Sequence, residues 1–244
     1  MKKVCQSFPS FYSSYNTCMQ LSKAQKLVKQ GEDRREAADF EGAIKFLTEA
    51  IKLLTKEKAY ADLVVAYKDL SLTYVHKYNY GEGVGNVDMA KKYAEGMLAI
   101  ARQHAPDSIA LAYFTLAKVV ELQGDLAAAR RAYKQALEQY KGSLAEHGDY
   151  RYHLGEVLYV TGDKDEGRQQ METGLAEISD GASEVDDFLT AVWETRCLMR
   201  LAYVINGDDP AAANKYREEA KSHLEADPRL VILKKQFIEL FFLA

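Results

Sequence analysis

The sequence is poor in residues that interrupt or staple a chain. Only four prolines occur in 244 residues, and alanine is abundant, which favours helix over sheet. Three cysteines, Cys5, Cys18 and Cys197, are too few for a disulfide framework, and their odd number fits a reducing compartment. Cys5 and Cys18 lack CxxC spacing and read as free thiols, whereas Cys197 sits among Leu198, Met199 and Leu201 and reads as a buried apolar residue. No apolar run approaches the ~20 residues that a membrane-spanning helix requires. The opening stretch MKKVCQSFPSFYSSYNTC begins with charge, but serines, Gln6 and Asn16 break up the apolar centre that a secretion signal needs. A cytoplasmic protein is therefore expected. Charge of one sign is lacking as well. The 32 basic and 36 acidic residues give a net charge of −4, which argues against the basic footprint of a general nucleic-acid binder.

Catalytic constellations are also missing. The sequence contains no GxSxG, no HExxH and no Cys/His arrangement with an orienting partner. Gly81-Glu82-Gly83-Val84-Gly85 resembles a phosphate-binding loop only superficially. Asn86 stands where the third glycine of GxGxxG belongs, no Walker lysine follows, and a helical pattern precedes it. A flexible insertion between helices is the better reading. His147 and His153 lie six apart, off a common helical face and far from any cysteine pair, so no metal is expected. The chain reads as no enzyme, and no cofactor is expected.

What the sequence does have is a repeat. In SIALAYFTLAKVVELQGDLAAARRAYKQALEQY, Ala110, Tyr113, Leu116, Ala117 and Val120 fall at helical steps of three and four. Gly124 can take the left-handed conformation that closes a helix, and Asp125 can cap the next one. Leu126, Ala129, Tyr133, Ala136 and Leu137 then mark one face of a second helix, and so short a turn forces antiparallel packing. Comparable turn signals stand at Ala38-Asp39, Gly162-Asp163 and Gly207-Asp208. A longer loop within Tyr78–Asp88 takes the place of the missing member. Small residues seven apart, Ala43/Ala50, Ala129/Ala136 and Gly167/Gly174, let a neighbouring helix come close. A period near forty residues indicates stacked supersecondary units.

These features resemble the tetratricopeptide-repeat family. Its pattern of aromatic, Leu-small, then aromatic or apolar is matched by Tyr67-Leu70-Ser71-Tyr74, Tyr113-Leu116-Ala117-Val120 and Leu154-Gly155-Leu158. Gly31, Phe40, Ala43 and Ala50 match a first repeat. The periods are longer than the family's, and the fifth unit fits only in a slipped register. The resemblance implies an all-α, right-handed superhelical solenoid of about five antiparallel hairpins, at 24–54, 59–103, 107–140, 148–178 and 187–226. An arm outside the repeats (1–23), a repeat domain (24–226) and a C-terminal capping or interface helix (227–244) complete the expected organisation.

The same resemblance implies a protein–protein interaction scaffold that binds a peptide or protein in a concave groove. The alternatives are a structural subunit and a peptide-responsive regulator. Matching the family's groove positions gives Phe114 and Lys118, then Tyr152, Glu156 and Tyr159, then Arg196, Arg200 and Tyr203. Some relatives hold chaperone-tail carboxylates with a Lys/Asn/Arg clamp. Here the matching positions are Val28, Glu32, Asp69, Leu111 and Thr115, and Glu32 and Asp69 would repel a carboxylate. Finally, PRLVILKKQFIELFFLA has more apolar residues than one face can hold. Self-association through Phe237, Phe241 and Phe242 is the expectation there.

Overall fold

Ser22 opens the first repeat with a capping box. Its side chain accepts from the Gln25 backbone N–H, and the Gln25 side chain accepts from the Ser22 backbone N–H. The structure, a computed structural model, describes residues 21–242 except Glu82 and Val84. The expectations for Cys5, Cys18 and most of the N-terminal arm lie outside the described residues.

All regular structure among the described residues is helical. Paired helices follow one another: α1 (Lys23–Glu36) with α2 (Phe40–Glu57), α3 (Tyr60–Asn79) with α4 (Gly85–His104), α5 (Ile109–Leu122) with α6 (Leu126–Gln139). They continue with α7 (Leu144–Val160) and α8 (Lys164–Asp180), α9 (Asp187–Ile205) and α10 (Pro210–Ala226), and end on α11 (Val231–Phe242). Short 3-10 turns at Pro106–Ser108 and Ala182–Glu184 precede α5 and α9. The turn signals at Ala38, Gly124 and Gly162 act as the sequence suggests, whereas Gly207 takes no positive φ. Gly124 and Gly162 take positive φ angles of 81° and 107°, and Ala38 does so at 58° despite its Cβ. Asp39 and Asp125 accept from the backbone of Gly42 and Ala128 as N-caps. The expected loop around 78–88 is shorter than the pattern implied, because α3 runs on to Asn79 and α4 begins at Gly85.

The chain divides into two compact units, residues 1–132 and 133–244. In the first, α1 to α5 each pack on the next helix, and α1, α3 and α5 also touch in series. The apolar face of α2, formed by Phe40, Ala43, Leu47, Ala50 and Leu54, is buried, with Leu47 closing directly over Gly31. In the second, α7 packs on α8, α8 on α9 and α9 on α10, with α7 and α11 also lying against α9. Its α7/α8 pair is the tightest. Gly148 and Gly155 on one helix face Gly174 and Gly167 on the other, so near that a Cβ on Gly148 would stand 2.4 Å from the Gly174 carbonyl oxygen. Shape alone sets this approach, since four missing side chains let two backbones touch.

Candidate functional site

Within the second unit, α7 is buried along nearly its whole length, which its polar sequence does not suggest. The burial needs internal partners, and they are present. Glu156, 4% exposed, receives the Arg200 guanidinium from α9. Tyr159 donates its hydroxyl to Asp208 Oδ2 at 2.6 Å, while Lys164 Nζ reaches the same carboxylate at 2.6 Å and lies over the Tyr159 ring. Burial and this bond push the Tyr159 hydroxyl up to about 12. Tyr152 is wholly buried, and its hydroxyl has no hydrogen-bond partner. Burial drives its pKa well upward and Asp149 adds to that, while Arg196 and Arg200 pull against it.

Arg196, Arg200 and Tyr203 occupy one stripe of α9, at steps of four and three. The Arg200 guanidinium lies 5.8 Å from the Tyr203 ring centroid, and Tyr203 is 48% exposed. Arg196 is half-buried and forms no ion pair among the described residues. Trp193, one turn earlier, packs instead against the core around Tyr152, Met171 and Leu201.

The expected groove set thus separates by role. Tyr152, Glu156 and Tyr159 face inward and hold the unit together, a correction to their expected display on a surface. Paired aromatics and carboxylates at family groove positions look the same in sequence whether exposed or buried. Phe114 and Lys118 belong to the first unit, where Phe114 is buried and Lys118 Nζ lies 5.2 Å over its ring. Of the matched clamp positions, Val28, Asp69 and Thr115 are buried, and Asp69 is tied to Arg35 at 2.9 Å. That buried pair was not anticipated.

Sequence reasoning also missed a cleft of about 490 Å³ between α8, α9 and α10. Glu172, Glu194, Glu219, His223 and Tyr216 edge it above Leu198. Its carboxylates are partly engaged already. Glu172 takes Arg168 and Tyr216, and Glu194 takes the Ser179 hydroxyl. His147, once weighed as a ligand, bonds Glu177 at 2.9 Å, and no cluster among the described residues could hold a metal ion. Cys197 is buried, and burial holds its thiol well above the usual range. No described helix is long and apolar enough to cross a membrane.

Successive antiparallel helix pairs, three of them with small residues at the pair contact, define a helical-repeat fold. The tetratricopeptide-repeat family model matches residues 80–142. That segment of the chain carries the tetratricopeptide-repeat pattern. Among solved structures, BtubC (BKLC) from P. vanneervenii is 20% identical, with 82% of this chain and 79% of that chain covered and a TM-score of 0.65. A Podosopora anserina putative kinesin light chain with nearly identical TPR-like repeats is 14% identical, with coverage of 86% and 100% and a TM-score of 0.60. MamA is 19% identical, with coverage of 86% and 99% and a TM-score of 0.51. At such identities the likeness is one of fold. No curated protein matches the sequence.

Proposed function

We propose that this chain is a scaffold that binds a partner polypeptide on the α9 stripe of its second unit, through an acidic segment of that partner. The observation that carries the reading is Arg196, a half-buried cation without an ion-pair partner among the described residues, one turn from a paired arginine and two turns from an exposed tyrosine. A guanidinium held in place by its helix offers forked donors to a carboxylate at little further entropic cost. Tyr203, beside Arg200 on the same stripe, supplies the rigid aromatic area typical of interface anchors. Glu156 neutralises Arg200, leaving Arg196 to supply the specificity for acid.

The test is a pulldown from the native host with quantitative mass spectrometry, comparing the parent chain with Arg196→Glu and Tyr203→Ala. A common set of partners should be depleted about tenfold by each change and released by added salt. Equal recovery of the same partners by all three chains would overturn the reading. Arg200 is left unaltered because its removal would strand the buried Glu156.

A further inference from the structure

The last helix has one face too many for its unit. At 3.6 residues per turn, α11 splits into two sides. Leu233 and Phe237 turn inward onto α9 and are buried, and Leu240 and Phe241 are half-buried beside them. Phe237 is thus no interface residue, contrary to the expectation from sequence, because the inward side of α11 needs it as core. The outward side carries Val231 at 58% exposure, Ile232 at 46%, Ile238 at 50% and Phe242 at 71%. A helix face exposed to water is ordinarily polar. Here the only charges on the outward face are Lys235 and Glu239, four residues apart and 3.8 Å from each other within the helix.

The order of residues on that face says what covers it. We infer that it pairs with the same face of a second copy of this chain, the two α11 helices running antiparallel about a two-fold axis at the level of Phe237. Residues equally distant from 237 in opposite directions then oppose each other, as an isologous contact requires. Lys235 meets Glu239 of the partner subunit, and Glu239 meets Lys235 of the partner subunit. Ile232 meets Phe242 of the partner subunit, closing the apolar contact at both ends. A parallel pairing in register would oppose lysine to lysine and glutamate to glutamate. Moving the antiparallel axis to Lys235 or to Glu239 would oppose like charges in the same way. With the axis at Phe237, opposite charges and apolar ends are matched together. This pairing is independent of the α9 stripe, so either proposal can fail alone.

Sedimentation equilibrium on the full chain provides the test. The parent should be a dimer, and Phe242→Glu a monomer of unchanged helicity. Lys235→Glu leaves two glutamates opposed across the axis, and Glu239→Lys leaves two lysines opposed. Each single variant should weaken the dimer, and the double exchange Lys235→Glu/Glu239→Lys should restore it. An equimolar mixture of the two single variants should also dimerise, because each supplies the charge that the other lacks. A role confined to the pair within one helix cannot produce rescue between two chains. A monomeric parent at the highest soluble concentration would overturn the proposal. So would a dimeric parent whose single variants, mixed, behave no better than either alone.

Discussion

Gly155 of α7 and Gly167 of α8 meet backbone against backbone, and a Cβ on Gly155 would stand 2.7 Å from the Gly167 carbonyl oxygen. The same contact recurs in the first unit in looser forms. Ser71 of α3 donates its hydroxyl to the Ala90 carbonyl of α4 at 2.9 Å, and a Cβ on Gly31 would lie 3.4 Å from the Ala43 carbonyl. These three repeats therefore place small residues where the two helices of a hairpin cross. Replacing glycine by alanine in a helix ordinarily stabilises by roughly 0.5–1 kcal/mol. Gly155→Ala should reverse that sign and destabilise by about 2 kcal/mol, because its obstacle is backbone that cannot swing aside. Gly207→Ala, with nothing within 4 Å, is the control and should be near neutral. Urea midpoints measure both. A Gly155→Ala chain as stable as the parent would remove the seam from the account.

These small residues were legible in sequence because helical hairpins repeat their local chemistry. The Gly-Asp turns, the seven-residue spacing and the capping residues each act over a few positions, and the hairpin pairing followed from them. Long-range pairing was not legible. Arg35 finds Asp69 across 34 residues and Arg200 finds Glu156 across 44, and no local pattern marks either partner. The same blindness affected the candidate site. Tyr152 and Tyr159 sit at positions expected to line a groove, and the packing of α7 on α8 and α9 turns them inward. Arg196 and Tyr203 keep part of their surface exposed, although Arg200 on the same stripe reaches Glu156 of α7.

Asp69 offers a test of buried charge in the first unit. It accepts from Arg35 with both side chains almost fully buried, and Lys68 and Glu36 complete the cluster. Asp69→Ala leaves the Arg35 guanidinium with Glu36 alone and should cost about 3 kcal/mol. Arg35→Met/Asp69→Leu, which removes both charges together, should recover most of that loss. Denaturation midpoints of the single and double variants form the cycle. If the double variant is as unstable as Asp69→Ala, charge burial is not the cause.

His76 makes the first unit sensitive to mild acid. Burial, reinforced by the nearby Arg35, holds its pKa below the ordinary 6.5. The unfolded chain therefore takes up the proton first as pH falls. Stability is complete above about pH 6.5 and declines as pH drops toward the depressed folded value. His76→Gln removes that group, so the loss of stability between about pH 7 and pH 5 should be smaller than in the parent. Thermal midpoints across this range settle it, and an identical slope in both chains would assign the acid sensitivity elsewhere.

The turn before α10 separates two adjacent aspartates that sequence cannot tell apart. The repeated Gly-Asp signal points to Asp208 as the cap, yet Asp209 Oδ1 accepts from the Ala212 backbone N–H at 3.0 Å and also holds Arg168. Asp208 reaches back instead to the Tyr159 hydroxyl and Lys164. Pro210 explains the displacement. It occupies the first turn of α10, where its missing N–H costs nothing, and so moves the cap one residue along from the usual signal. The two substitutions should therefore act on different places. Asp209→Ala frees the Ala212 amide, whose hydrogen exchange should quicken roughly fivefold. Asp208→Ala should leave that amide protected and instead release Tyr159, whose hydroxyl should titrate below the value near 12 that its present bonding and burial produce. Amide exchange followed residue by residue, with the tyrosine titrated in the same samples, distinguishes the two. Faster exchange at Ala212 in Asp208→Ala, with none in Asp209→Ala, would return the cap to the position that the repeat pattern first suggests.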